Sequence, residues 1–92
     1  MGLTFEWDEQ KADANIDKHG VGSPEAITAF FDPSSQTIHD PEHSATEDRF
    51  VLLGRTSRGR LVVAIHVEGG DNIRVISARL ATRAERRDYQ RR

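Results

Sequence analysis

At 92 residues, 36% hydrophobic and 30% charged, the chain can build one modest hydrophobic core and has no room for two. It has no cysteine, which excludes a disulfide scaffold and any thiolate metal site and fits a reducing, cytoplasmic setting. No apolar run approaches the roughly 20 residues that a membrane span needs, so no membrane association is expected. The net charge of −2 conceals an asymmetry: residues 1–48 set Lys11 and Lys18 against eleven acids, whereas residues 49–92 set eleven arginines against four. One basic face, rather than a wholly basic surface, follows from that division, and it would suit phosphates or an acidic protein equally well.

Leu3 to Trp7 alternates apolar and polar side chains, the pattern of a short strand with one buried side. Asp8 is placed to cap a helix from Glu9 to about Lys18, which His19-Gly20 ends with Gly20 just past the last turn. Ser23-Pro24-Glu25 starts a second helix, with Ser23 as N-cap, Pro24 at the first helical position and an acid near the positive end of the dipole. Ala26, Ile27, Ala29, Phe30 and Phe31 make it apolar, and Asp32-Pro33 stops it. From Gln36 the pattern is a short edge strand, because Asp40-Pro41 cannot continue a central ladder. Arg49–Arg55, Leu61–Val67 and Ile73–Arg79 then form successive strands separated by Gly-containing turns, the β-branched middle one being the sheet's centre.

The last third holds seven basic residues, Arg74, Arg79, Arg83, Arg86, Arg87, Arg91 and Arg92. Thr82 and Glu85 have the spacing of a capping box, so a helix starts there and presents Arg83, Arg86 and Arg87 on one side. Guanidinium is a planar fork that takes two phosphate oxygens at once. A polyanion site and a merely solvated basic helix are both open on this pattern. The expected order is β-α-α-β-β-β-β-α: a single α+β domain, an antiparallel sheet packed by two N-terminal helices, with a basic C-terminal helix. In the last strand Arg74 and Arg79 fall on opposite faces unless a bulge intervenes.

Phe5-Glu6-Trp7-Asp8, then Lys11, Asn15 and Lys18-His19-Gly20-Val21, resemble the opening of the BrnT family of bacterial type II toxins. The resemblance continues through Glu25-Ala26, Phe31-Asp32-Pro33, Asp40, His43-Ser44, Glu47, Arg49 and Gly54. It ends with Ile76-Ser77-Ala78-Arg79, Thr82, Glu85-Arg86-Arg87 and Tyr89, so it covers nearly the whole chain in order. It implies a RelE-like fold, a ribonuclease that cleaves messenger RNA, and neutralisation by a BrnA-like antitoxin with a DNA-binding domain, so that operator DNA is reached only through the antitoxin. One departure is the turn Glu68-Gly69-Gly70-Asp71, where many members carry an arginine; no phosphate contact is expected from it.

RNA cleavage requires in-line positioning of the 2′-hydroxyl, proton transfers at the attacking and leaving oxygens, and stabilisation of charge on phosphorus, none of which needs a metal or other cofactor. His19 is the acid–base candidate, as an imidazole at the end of a helix; its other role is a cap packed on the sheet. Arg79, Arg83 and Tyr89 complete the catalytic candidates, and Lys18, Arg49, Arg74 and Arg87 the phosphate-binding ones. For each arginine the competing role is a salt bridge or a solvated surface, and for Tyr89 it is packing or base stacking. His39 and His43 flank Asp40 and Glu42, but Pro41 between them argues against a helical ligand pair, so turn contacts rather than a metal are expected. His66 is expected to be a satisfied sheet histidine, and Ser77 has no histidine at readable spacing. A non-catalytic basic binding module, or a co-repressor acting with a DNA-binding antitoxin, is the alternative to the enzyme.

Overall fold

In a computed structural model, which describes residues 2–91, the chain begins at one edge of a sheet and then crosses its face. Strand β1 (Thr4–Trp7) leads into α1 (Glu9–His19), capped by the Asp8 carboxylate accepting from the Lys11 amide and ended by Gly20 at φ 71°. Helix α2 (Ser23–Thr28) continues as a 3-10 turn, Ala29–Phe31. Its N-cap is Gly22, not Ser23: the serine lies one place inside the helix, buried, and no side chain caps that end. Four strands follow, β2 (Gln36–Asp40), β3 (Arg49–Arg55), β4 (Leu61–Gly69) and β5 (Asn72–Leu80), and α3 (Arg83–Gln90) closes the described chain. Arg92, one of the basic residues of the tail, lies outside the described residues.

The strand order is β1-β5-β4-β3-β2, with β4 at the centre and β2 at an edge, as the sequence pattern indicates. From β2 to β5 the sheet is an antiparallel meander, but β1 pairs with β5 in parallel, so the sheet is mixed. The helical crossing from β1 to β2 carries the chain to the opposite edge, and the meander returns it to β1's side running in β1's direction. Side-chain alternation reports which residues are buried and is silent on strand direction.

Cα partners across a sheet share a face, and the register defines two. Leu52, Val62, Ala64 and Ala78 face α2 and the 3-10 turn, where they bury Val21, Ala26 and Ala29, with Phe30 packed against them. Small side chains set this layer's spacing. A Cβ built on Gly54 would stand 2.7 Å from the Ala29 carbonyl oxygen, so glycine is required for the backbones to approach. Further along the same face His66 is buried between the rings of Phe30 and Phe50 and bonds the Glu68 carboxylate through Nε2 at 2.8 Å.

The register between β4 and β5 shifts at Ile65/His66: Ile65 faces Ser77 while His66 faces Val75, so Ile76 is an extra residue in β5. That bulge resolves the conflict in the last strand. Ile73, Val75 and Ala78 keep to the core side, and Arg74 and Arg79 both turn to the second face, opposite Val67 and Val63.

Candidate functional site

Three basic clusters gather on or beside the second face. At one end Arg49 and Arg74 flank Val67 in a single cross-strand row. Arg74 bonds Glu47 and lies 4.0 Å from Glu6, and its guanidinium holds the Glu47 carboxyl below its usual range. Glu47 stands in the loop before β3, and from there it pairs with Arg74.

At the other end Arg79 stands opposite Val63, and α3 lies over this part of the face. The capping box expected from Thr82 and Glu85 is formed, with the Thr82 amide donating to Glu85 Oε1 at 2.7 Å and the Glu85 amide to Thr82 Oγ1 at 3.2 Å. The same carboxylate takes both ends of the Arg79 fork, Nη1–Oε1 at 2.8 Å and Nη2–Oε2 at 2.9 Å. That pairing lowers the Glu85 carboxyl to about 2. Arg83, Arg86 and Arg87 are exposed on α3.

The third cluster lies on the free edge of β5. Strand β1 pairs with β5 only as far as Val75, leaving the later residues without a strand neighbour on that side. Helix α1 fills the place: the Asn15 amide donates to the Ala78 and Val21 carbonyls at 2.8 and 2.7 Å and accepts from the Ala78 N–H at 3.1 Å. A groove of about 310 Å³ results, lined by Lys11, Ala14, Asn15, Lys18, His19, Ile76 and Ser77. Lys18 and His19 thus meet the strand that carries Arg74 and Arg79, in the middle of the stretch between those arginines.

Tyr89 does not join them. It donates its hydroxyl to Asp32 Oδ2 at 2.5 Å, and the Arg55 guanidinium lies 5.4 Å from its ring centroid. The Asp32 hydrogen bond pushes the Tyr89 hydroxyl pKa up, which makes it a poorer proton donor. In the β2–β3 connection His43 Nδ1 pairs with Asp40 at 2.8 Å and His39 Nε2 with Asp48 at 3.2 Å. Among the described residues Asp40, Glu42 and His43 bring ligand-type atoms within 4.8 Å of one another, all at the surface or half-buried.

Sequence reasoning missed Lys11, Asn15 and Glu85 as parts of the site. Lys11 and Lys18 stand seven apart and so share a helix face, a readable signal. Asn15 to Ala78 and Tyr89 to Asp32 are long-range pairings that local spacing does not encode.

The fold places the chain among small α+β proteins built on a five-stranded mixed sheet with three helices. A family described as "Ribonuclease toxin, BrnT, of type II toxin-antitoxin system" matches residues 7–85, and the chain belongs to it. A type II toxin has a protein antitoxin as its partner. Among solved structures, the crystal structure of the Brucella abortus ribonuclease toxin BrnT aligns with a TM-score of 0.66 and 23% identity, covering 88% of this chain and 99% of that one. At that identity the likeness shows the fold. Comparison with curated proteins finds no significant match. No helix among the described residues is long and apolar enough to cross a membrane.

Proposed function

We propose that this toxin is a RelE-like, metal-independent endoribonuclease that cleaves messenger RNA in the cytoplasm and is held inactive by a BrnA-like antitoxin, through which alone it reaches operator DNA. The observation that carries this reading is the groove in which Lys11, Lys18 and His19 meet Ile76 and Ser77, on the strand that presents Arg74 and Arg79. A single RNA strand laid along β5 meets Lys11, Lys18 and His19 in the groove, with Arg74 and Arg79, each paired with a glutamate, on either side of it. RNA supplies its own nucleophile in the 2′-hydroxyl, so the protein's task is alignment, proton transfer and charge stabilisation.

In this scheme Lys11 and Lys18 hold the backbone phosphates that flank the scissile bond, with Arg49, Arg74 and Arg87 extending the track. Arg79, helped by Arg83, stabilises the phosphorane. His19, in the last turn of α1, gives its proton to the departing 5′ oxygen, while the proton of the attacking 2′-hydroxyl is lost to solvent. Tyr89 is assigned to anchoring α3, because its hydroxyl is committed to Asp32.

The test uses purified protein and a single-stranded RNA in EDTA. Cleavage leaving 2′,3′-cyclic phosphate and 5′-hydroxyl ends, abolished in folded His19→Ala and Arg79→Ala variants, is the expected result. RNA left intact at large protein excess removes the enzyme reading in favour of a non-catalytic binding module or co-repressor.

A further inference from the structure

Arg79 lies on β5 two residues beyond Ser77 of the groove and reaches α3, yet both of its terminal nitrogens are occupied. Glu85 meets them with one oxygen on each nitrogen, the two-pronged pairing that two phosphate oxygens would make. The same carboxylate caps α3 through the Thr82 amide, so one side chain serves two contacts that an incoming anion would set against each other. A further polar tie from the sheet to α3, the Gln36 side-chain amide donating to the Asp88 carbonyl at 3.5 Å, is at the long limit for a hydrogen bond. No residue of α3 is buried, and a cavity of about 210 Å³ is lined by Glu85 and Asp88 of the helix and by Val51, Leu53 and Val63 of the sheet. The far end is tied by the Tyr89–Asp32 hydrogen bond and the Arg55 contact, so α3 is a strap fastened at its two ends.

We propose that Glu85 is an internal competitor for the phosphate site on Arg79. An oxyanion ligand displaces it, and the displacement removes half of the capping box and loosens the first turn of α3. Anion binding and the docking of this helix are therefore coupled with opposite sign. The identity of the ligand as RNA rests on the ribonuclease reading above; the gate itself requires only a phosphate-type anion.

The variant that isolates the gate is Glu85→Gln, which keeps an amide oxygen for the Thr82 N–H and loses the charge. Two probes are titrated: a single-stranded oligoribonucleotide made uncleavable by 2′-O-methylation, and inorganic pyrophosphate. Glu85→Gln should bind both roughly fivefold to tenfold more tightly than the unaltered protein. Its RNA affinity should also fall more steeply with salt, by about 0.7 in the log–log slope, the share of one extra cation on a single strand. In an Arg79→Gln background the gain should vanish. Thr82→Ala, which breaks the cap but leaves the ion pair, should loosen α3 without tightening either probe. In the unaltered protein the amides of residues 83–86 should exchange faster when pyrophosphate is bound.

Equal affinity and equal salt slope in Glu85→Gln overturn the gate. A gain that persists without Arg79 overturns it too, since it would then be a loss of general negative charge. Tighter pyrophosphate binding with no RNA binding by any variant keeps the gate and removes the ribonuclease reading instead.

Discussion

The side chain of Asn15 pairs with the backbone of Ala78 through both of that residue's hydrogen-bonding groups, as a neighbouring strand would. It thereby supplies the missing partner where β1 ends, and docks α1 with Lys18 and His19 against β5. Truncation to Ala strands the N–H and C=O of Ala78 and the carbonyl of Val21 in a half-buried layer. Asn15→Ala should cost roughly 2–4 kcal/mol in urea unfolding, above the range of an ordinary surface change. A loss within about 0.5 kcal/mol would show that α1 is held by something else.

Gly54 gives a second, purely steric prediction. The Ala29 carbonyl leaves no room for a methyl group, and the obstacle is backbone rather than a movable side-chain tip. Gly54→Ala should destabilise the fold by about 1–3 kcal/mol, although Ala normally favours extended structure over Gly. Thermal unfolding reads the sign directly, and a more stable variant would contradict the close approach.

Acid should weaken the fold in a defined window. Glu85 is lowered from 4.5 to about 2, chiefly by Arg79; Glu25 is lowered chiefly by Arg60. At Asp32, burial pushes the carboxyl up, but the Tyr89 hydroxyl and the Arg55 and Ser34 amides together bring it below its usual value. Because these folded-state values are depressed, their stabilisation is complete above the unfolded carboxylate range and is lost as pH falls from about 4.5 towards 2. Glu85 accounts for about 1–2 kcal/mol of that loss after allowance for its partly exposed partner. Urea midpoints measured from pH 5 to pH 2 should fall, and fall less steeply in Glu85→Gln.

For the proposed chemistry, binding and turnover should separate at His19. His19→Gln should slow single-turnover cleavage about 10²- to 10⁴-fold while leaving RNA affinity within roughly a factor of two. If affinity and rate drop together, His19 contributes to the groove's shape or charge and not to proton transfer.

Much of the scaffold could be read locally. Arg49–Arg55 and the Thr82–Glu85 helix start stand where composition and cap spacing put them, because each is specified by residues within a few positions. The direction of β1 was not readable, since it depends on where two helices deliver the chain. Lys18 and His19 were legible as candidates from their place at a helix end, whereas their meeting with Ile76 and Ser77 depends on Asn15 finding a strand 63 residues away. The arginines were legible as charge but not as partners. Glu85 could be read as a cap, and its second bond, to Arg79, is fixed only when α3 folds back over β3.

Arg74 and Arg79 are an odd number of steps apart, and an unbroken strand would send them to opposite sides of the molecule. Ile76 corrects the parity without carrying charge itself. Deleting that one isoleucine would leave the net charge and every charged residue unchanged, yet would turn one of the two guanidiniums towards the hydrophobic layer. The electrostatic character of this surface is thus governed by a count of backbone units, which an inventory of charged residues does not record.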